Sequence, residues 1–166
     1  MGITALKGTP IHTTGDLPTV GSQAPTTLGA TSALADVDLS AYAGKNVVLN
    51  IFPSIDTPVC ATSVRTFNAR AASLPNTAVV CVSADLPFAL SRFCGAEGLE
   101  NVQTVSTFRS SFGADWGVTL ADGPLRGVLA RAVVVVGPNG TVLHTELVPE
   151  IAQEPNYDAA LAVIEA

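Results

Sequence analysis

Charge is scarce in this chain. Only 13% of its 166 residues are charged, and 8 Lys and Arg face 14 Asp and Glu, for a formal net charge of −6. No basic cluster exists that could neutralise successive phosphates, which argues against nucleic acid as a partner. Long apolar runs are missing too: none approaches the roughly 18 to 20 residues that cross a bilayer, so no membrane partner is expected. Met1 to Pro10 carry no apolar core behind a basic start, so no secretory signal is expected there. Cysteine is rare and odd in number, at three, which fits a reducing compartment with working thiols better than a disulfide scaffold. The cytoplasm is the expected location. Cys-x-x-Cys is absent, since Ala61, Thr62 and Ser63 follow Cys60, and with it the motif of dithiol oxidoreductases. Cys60, Cys81 and Cys94 are far apart in sequence, and only His12 and His144 could join them, so no metal site is expected. Neither histidine sits in a motif that would make it the base of a cysteine hydrolase.

What the chain has in quantity is apolar surface, at 48% of residues, enough for a folded core in one domain over residues 1–166. Residues 1–20 read as an N-terminal hairpin extension, with Ile3–Leu6 and Ile11–Thr14 flanking Lys7-Gly8-Thr9-Pro10. Gly15 to Thr27 reads as a linking loop. Strands are predicted at Val47–Phe52, Ala78–Ser83, Val102–Ser106, Ala132–Val136 and Val142–Leu147, the last two joined by a Gly- and Asn-bearing hairpin loop. Helices are predicted at Pro58–Leu74, Pro87–Cys94 and Tyr157–Glu165, the last capped by Asn156, with a short turn near Ser111–Trp116. This alternation describes an α/β protein with a mixed central sheet flanked by helices.

One octapeptide carries most of the chemistry: Pro53-Ser54-Ile55-Asp56-Thr57-Pro58-Val59-Cys60. An apolar strand precedes it, and Val64, Phe67, Ala71 and Leu74 follow at helical spacing. Thr57 suits the N-cap and Pro58 the first helical position, which needs no N–H donor. Cys60 then falls in the first turn, where free N–H groups and the helix dipole favour an anion. A lone cysteine in so apolar a chain is more often a small core residue. The strand–turn–helix setting favours a nucleophile instead.

The spacing of Pro53, Thr57 and Cys60 resembles the active-site signature of the peroxiredoxins. Asn50 to Thr57, Val59-Cys60-Ala61 and Ser63-Val64-Arg65 resemble the bacterial thiol peroxidase branch of that family. Two later stretches match it again: Asp85-Leu86-Pro87-Phe88-Ala89 with Ser91 to Gly98, and Ala121 to Leu125 through Ala130 to Val134. The likeness covers essentially the whole chain, and it implies a thioredoxin-like fold. It also implies a thiol-specific peroxidase acting on hydrogen peroxide and organic hydroperoxides without metal, flavin or haem. Cys60 is then the peroxidatic cysteine and Cys94 the resolving one, joined after oxidation as an intrachain Cys60–Cys94 disulfide that thioredoxin or a similar dithiol protein reduces. A homodimer is implied as well.

Thr57, one turn before Cys60, is expected to cap the Cys60 N–H and donate its proton to sulfur or substrate. The likeness adds that Pro53 shields the sulfur from water and over-oxidation. Arg131 precedes a strand of apolar residues. By chemistry alone its head could snorkel to the sheet edge, whereas the family role is to bond both sulfur and peroxide, which its planar fork suits. Cys94 reads as the close of a short helix that stops at Gly95, although a buried small residue is an equal reading of the residue alone. Cys81, mid-strand, reads as an inert core thiol. Ile55, Val59, Phe88 and Phe93 are the expected apolar neighbours of the pocket. The rival reading from another class is a non-enzymatic thiol sensor or binding module.

Overall fold

The computed structural model describes residues 1–165. It opens with β1 (Ile3–Leu6) and β2 (Thr9–His12), an antiparallel hairpin separate from the main sheet. The hairpin is tighter than the sequence suggests. Leu6 pairs with Thr9, and Lys7 and Gly8 between them hold φ of 51° and 83°, the pair of positive values that a two-residue type I′ turn needs.

The main sheet contains β3 (Thr27–Ala30), β4 (Asp36–Asp38), β5 (Asn46–Ile51), β6 (Thr77–Ser83), β7 (Gln103–Ser106), β8 (Ala132–Val136) and β9 (Val142–Leu147), in the order β4-β3-β7-β6-β5-β8-β9. β5, β6 and β7 run parallel, and β8 lies antiparallel against β5. Helix α1 (Pro58–Ala71) links β5 to β6, and α2 (Pro87–Glu97) links β6 to β7. The single-turn α3 (Phe112–Asp115) follows β7, and α4 (Tyr157–Glu165) ends the described chain. Asn156 caps α4 as expected, its side chain accepting from the Ala159 N–H at 3.0 Å.

The five core strands fall where apolar runs placed them. β3 and β4 lie in and just beyond the segment read as a loop. They are only three to four residues long, so no period announces them. β3 also contains Gly29, where a Cβ would come within 2.2 Å of the Ser106 carbonyl oxygen, so the close approach of β3 to β7 depends on that glycine.

The sheet is covered on both faces. Val47, Leu49, Ile51, Val80, Val82 and Val134 pack on one side with Phe112 and Trp116. Val48, Val79, Cys81, Val133 and Val135 pack on the other with Val64 and Phe67 of α1 and Leu90 and Phe93 of α2. A third, smaller cluster of Ile11, Leu120, Ala130 and Ile151 lies under the hairpin. None of the helices in the described residues is long and apolar enough to cross a membrane.

Two features of this topology prepare the site. β5 ends at Ile51 and delivers the chain through Pro53–Thr57 into α1, beyond the carboxyl end of a parallel strand, where open α/β sheets place their ligands. Because β8 is antiparallel to β5, with Ile51 opposite Ala132, the start of β8 lies at that same edge. Arg131 is the residue immediately before it.

Candidate active site

Helix α1 begins at Pro58 with Thr57 as N-cap, in extended backbone at φ −105° and ψ 147°. Cys60 is therefore in the first turn, as the cap pattern predicts, and it is fully buried. Arg131, only 2% exposed, donates from Nη2 to the Cys60 Sγ at 3.2 Å. The guanidinium is held from behind, where Nε donates to the Ile151 carbonyl at 2.7 Å. Its remaining nitrogen, Nη1, is buried without a partner. A buried donor of a charged fork left unsatisfied is costly, so it is a natural place for a substrate oxygen. Arg131 does not snorkel to the sheet edge.

A cavity of about 240 Å³ lies against Arg131 and the 53–59 segment, and Cys60, fully buried, is not part of its lining. Pro53, Ser54, Thr57, Pro58 and Val59 supply one part of its lining and Arg131 another, with Leu125, Val128, Ile151, Ala152 and the hairpin's Leu6 completing it. Arg131 is the one charged side chain in this wall. Of the four apolar neighbours expected from sequence, only Val59 lines the cavity: Ile55 and Phe93 are buried in the core, and Phe88 stands 66% exposed elsewhere.

Thr57 departs from its expected role. Its hydroxyl makes no cap bond and donates instead to the Ser54 carbonyl at 2.9 Å, the same oxygen that accepts the Thr57 N–H at 3.2 Å. The 54–57 turn thus takes the hydroxyl that a cap would need. Thr57 stays at the cavity by position.

Other residues shape the first turn without having been singled out by the sequence reading. Ser63 donates to the Cys60 carbonyl at 2.8 Å, and the buried Asn50 on β5 donates to Ser63 at 3.2 Å. Asp85 accepts from Ser54 Oγ at 2.8 Å, from the Ile55 N–H at 2.8 Å and from Ser83 Oγ at 2.6 Å, which ties the 53–57 loop to the end of β6. A polar residue inside an apolar strand, like Asn50, is the signal that could have marked the first pair.

Cys94 is elsewhere. It sits in the last turns of α2, half-buried, and lines a different cavity with Ser91, Gly95 and Gly98. Gly95 is not the stop that the sequence suggests. The helix runs to Glu97, and Gly98 closes it at φ 65°, with the Leu99 N–H bonded to the Cys94 carbonyl at 3.0 Å and the Gly98 N–H to the Gly95 carbonyl at 3.3 Å. Those bonds form a Schellman cap, which needs the left-handed residue that Gly98 supplies and Gly95 does not. All three cysteines are free thiols. Burial raises the Cys94 thiol above its ordinary value. Burial pushes Cys81, on β6, up to about 12, which leaves it a neutral core residue. Cys81→Ser is expected to leave the rate of peroxide consumption unchanged, checked by the same coupled assay as the wild type.

With the geometry in view, the chain can be compared with known proteins. The Redoxin family model matches residues 19–161. The chain belongs to the Redoxin family. It is 62% identical over 161 residues to a thiol peroxidase of Mycobacterium tuberculosis, covering 97% of each chain. To a thiol peroxidase of Corynebacterium glutamicum it is 54% identical over 164 residues, covering 99% of each. The crystal structure of a peroxiredoxin-like protein from Aquifex aeolicus superposes with a TM-score of 0.93 at 37% identity, over 98% of this chain and 95% of that one. The mixed sheet with flanking helices is therefore the thioredoxin-like redoxin fold, with the two-stranded hairpin added at its N-terminus. The resemblance to the peroxiredoxin family and its bacterial thiol peroxidase branch, carried by the stretches within 50–65, 85–98 and 121–134, is borne out.

Proposed function

We propose that this Redoxin-family chain is a thiol peroxidase in which Cys60 reduces hydroperoxides, Cys94 resolves the product and a dithiol protein such as thioredoxin restores both thiols. The observation that carries the reading is the buried Arg131 fork, with Nη2 on the Cys60 sulfur, Nη1 buried without a partner, and the residue itself in the wall of an apolar cavity. Cys60 attacks as the thiolate on one peroxide oxygen. The O–O bond breaks, the sulfur is oxidised to sulfenic acid, and the other oxygen leaves as alkoxide or hydroxide and takes up a proton. The Arg131 fork serves sulfur and substrate together, since charge passes from one to the other. Pro53 supplies wall without an N–H that could compete for the sulfur. Cys94 then condenses with the sulfenic acid, forming the Cys60–Cys94 disulfide and releasing water. No step calls on a metal or an organic cofactor. A cytoplasmic homodimer is the setting that family likeness favours.

The cavity's mostly apolar lining favours organic hydroperoxides over hydrogen peroxide, since buried apolar area contributes about 25 cal/mol per Å². The test is to follow peroxide consumption with thioredoxin, its reductase and NADPH, for wild type and Arg131→Lys. Wild type is expected to turn over many equivalents per chain. Arg131→Lys keeps the charge but loses the planar fork, and its first oxidation step should slow by about a hundred-fold. Consumption that stops at one equivalent in the wild type, with reductant in excess, would point to a sensor. Unchanged kinetics in Arg131→Lys would remove the role given to the fork.

A further inference from the structure

The cavity beside Arg131 is not built by the α/β domain alone, because the N-terminal hairpin reaches it. Leu6, the last residue of β1, is half-buried, lines the cavity with Pro53, Val59 and Leu125, and packs on the small cluster that includes Ile151. The hairpin is fastened at its tip. The Glu150 carboxylate accepts the Lys7 N–H at 2.7 Å and the Gly8 N–H at 3.2 Å. These are the two turn residues with positive φ, whose paired N–H groups form a small anion-binding concavity. Along the strand, the Ile151 N–H bonds the Ala5 carbonyl at 2.8 Å, and Thr4 Oγ1 donates to the Val148 carbonyl at 2.8 Å. The carbonyl of that same Ile151 accepts from Arg131 Nε. One short segment, 148–151, therefore holds the hairpin on one side and the guanidinium on the other.

We propose that the β1–β2 hairpin is a working wall of the peroxide cavity, with Leu6 as a specificity-determining residue for bulky hydroperoxides and Glu150 as the positioning residue that seats it. The inference rests on the assignment of Cys60 as the peroxide-reducing thiol. Leu6 meets the organic part of a hydroperoxide, which hydrogen peroxide lacks. Glu150 acts through two routes, the hairpin tip and the Ile151 carbonyl on Arg131, so its loss reaches both wall and fork.

The experiment measures second-order rates of Cys60 oxidation by stopped flow, with hydrogen peroxide and with cumene hydroperoxide, for wild type, Leu6→Ala, Leu6→Met, Glu150→Ala and Glu150→Gln. Leu6→Ala is expected to lower the cumene hydroperoxide rate about five-fold more than the hydrogen peroxide rate. Leu6→Met keeps the volume and should restore most of the ratio. Glu150→Ala should slow both peroxides, the organic one more, and Glu150→Gln, which keeps an acceptor, should recover part of both. A Leu6→Ala variant in which the two rates fall by the same factor, or do not fall, overturns the specificity role. Wild-type rates in Glu150→Ala overturn the positioning role. A wild-type protein oxidised by neither peroxide fails at an earlier point, the assignment of Cys60 itself, and takes the proposal down with it.

Discussion

Cys60→Ser should abolish peroxide reduction, with a loss of at least about a thousand-fold in the rate of the first step. The change is nearly isosteric, and the Arg131 N–H that now meets sulfur at 3.2 Å can meet a hydroxyl oxygen instead. Fold and thermal midpoint should therefore stay close to wild type, which circular dichroism would check. What is lost is the sulfur that can take up an oxygen as sulfenic acid and release it as water when a second thiol attacks. An oxygen nucleophile in the same pocket has no such path, however well the Arg131 fork and the cavity bind the peroxide. Residual turnover above a few per cent of wild type would mean that Cys81 or Cys94 is the reacting thiol.

The second large effect belongs to Cys94. Cys94→Ser should consume about one equivalent of peroxide per chain and then stop, failing to cycle with thioredoxin and passing more readily to sulfinic acid on further peroxide. The reason lies in where the two thiols are held. Cys60 is buried in the first turn of α1 with its sulfur on Arg131, while Cys94 lies in the last turns of α2 against another cavity. Both helices are intact, and the α2 end is fixed by the Gly98 cap. A disulfide needs Cα atoms within about 7 Å, and here both thiols are free while the helical turns that carry them are formed, so resolution is expected to require local unwinding of both segments. The ion pairs across the two elements, Asp56 with Arg92 at 2.8 Å and Arg65 with Glu97 at 2.5 Å, are exposed. Exposed pairs of this kind are screened by water, so they add little resistance to the opening. Unwinding also frees the Cys94 thiol from the burial that holds it above its ordinary value. Exposure should return it toward the usual thiol range, so movement and activation come together. Because that thiol must lose its proton to attack, resolution should quicken as pH rises toward the usual thiol range and slow on the acid side, where the exposed thiol stays protonated. Pre-steady-state kinetics in wild type, with the disulfide quantified by mass spectrometry, checks this. A Cys94→Ser variant that cycles with thioredoxin would remove Cys94 from the mechanism.

The residues that were legible from the chain and those that were not differ in a physical way. Cys60's place in the first turn followed from local rules: Thr57 ends the extended segment, Pro58 fills a position that needs no donor, and the apolar period behind them makes a helix. Thr57's hydroxyl did not follow, because a Ser54 carbonyl three residues back competed for it, and such choices are made by turn geometry. The end of α2 was misplaced for a similar reason. Two glycines stand near it, and which one takes the left-handed cap depends on how far the helix packs along β7. β3 and β4 were missed because strands of three or four residues are too short to show a period, and Gly29 interrupts β3 as well.

Family, fold class, the first-turn position of Cys60 and the mid-strand position of Cys81 were set by local sequence, because they depend on neighbours within a few residues of each other or on runs of apolar side chains. Folding decided everything that joins distant segments. The antiparallel register of β8 on β5 brings Arg131 to Cys60 across 71 positions, and the 148–151 turn ties that same guanidinium to a hairpin near the N-terminus. Asp85 clamps a loop some thirty positions before it, Ile55 and Phe93 go to the core, and Leu6 and Leu125 become the walls of the cavity. A short-range pattern carries no information about which segments meet. That information resides in sheet order and register, which only the packed chain possesses.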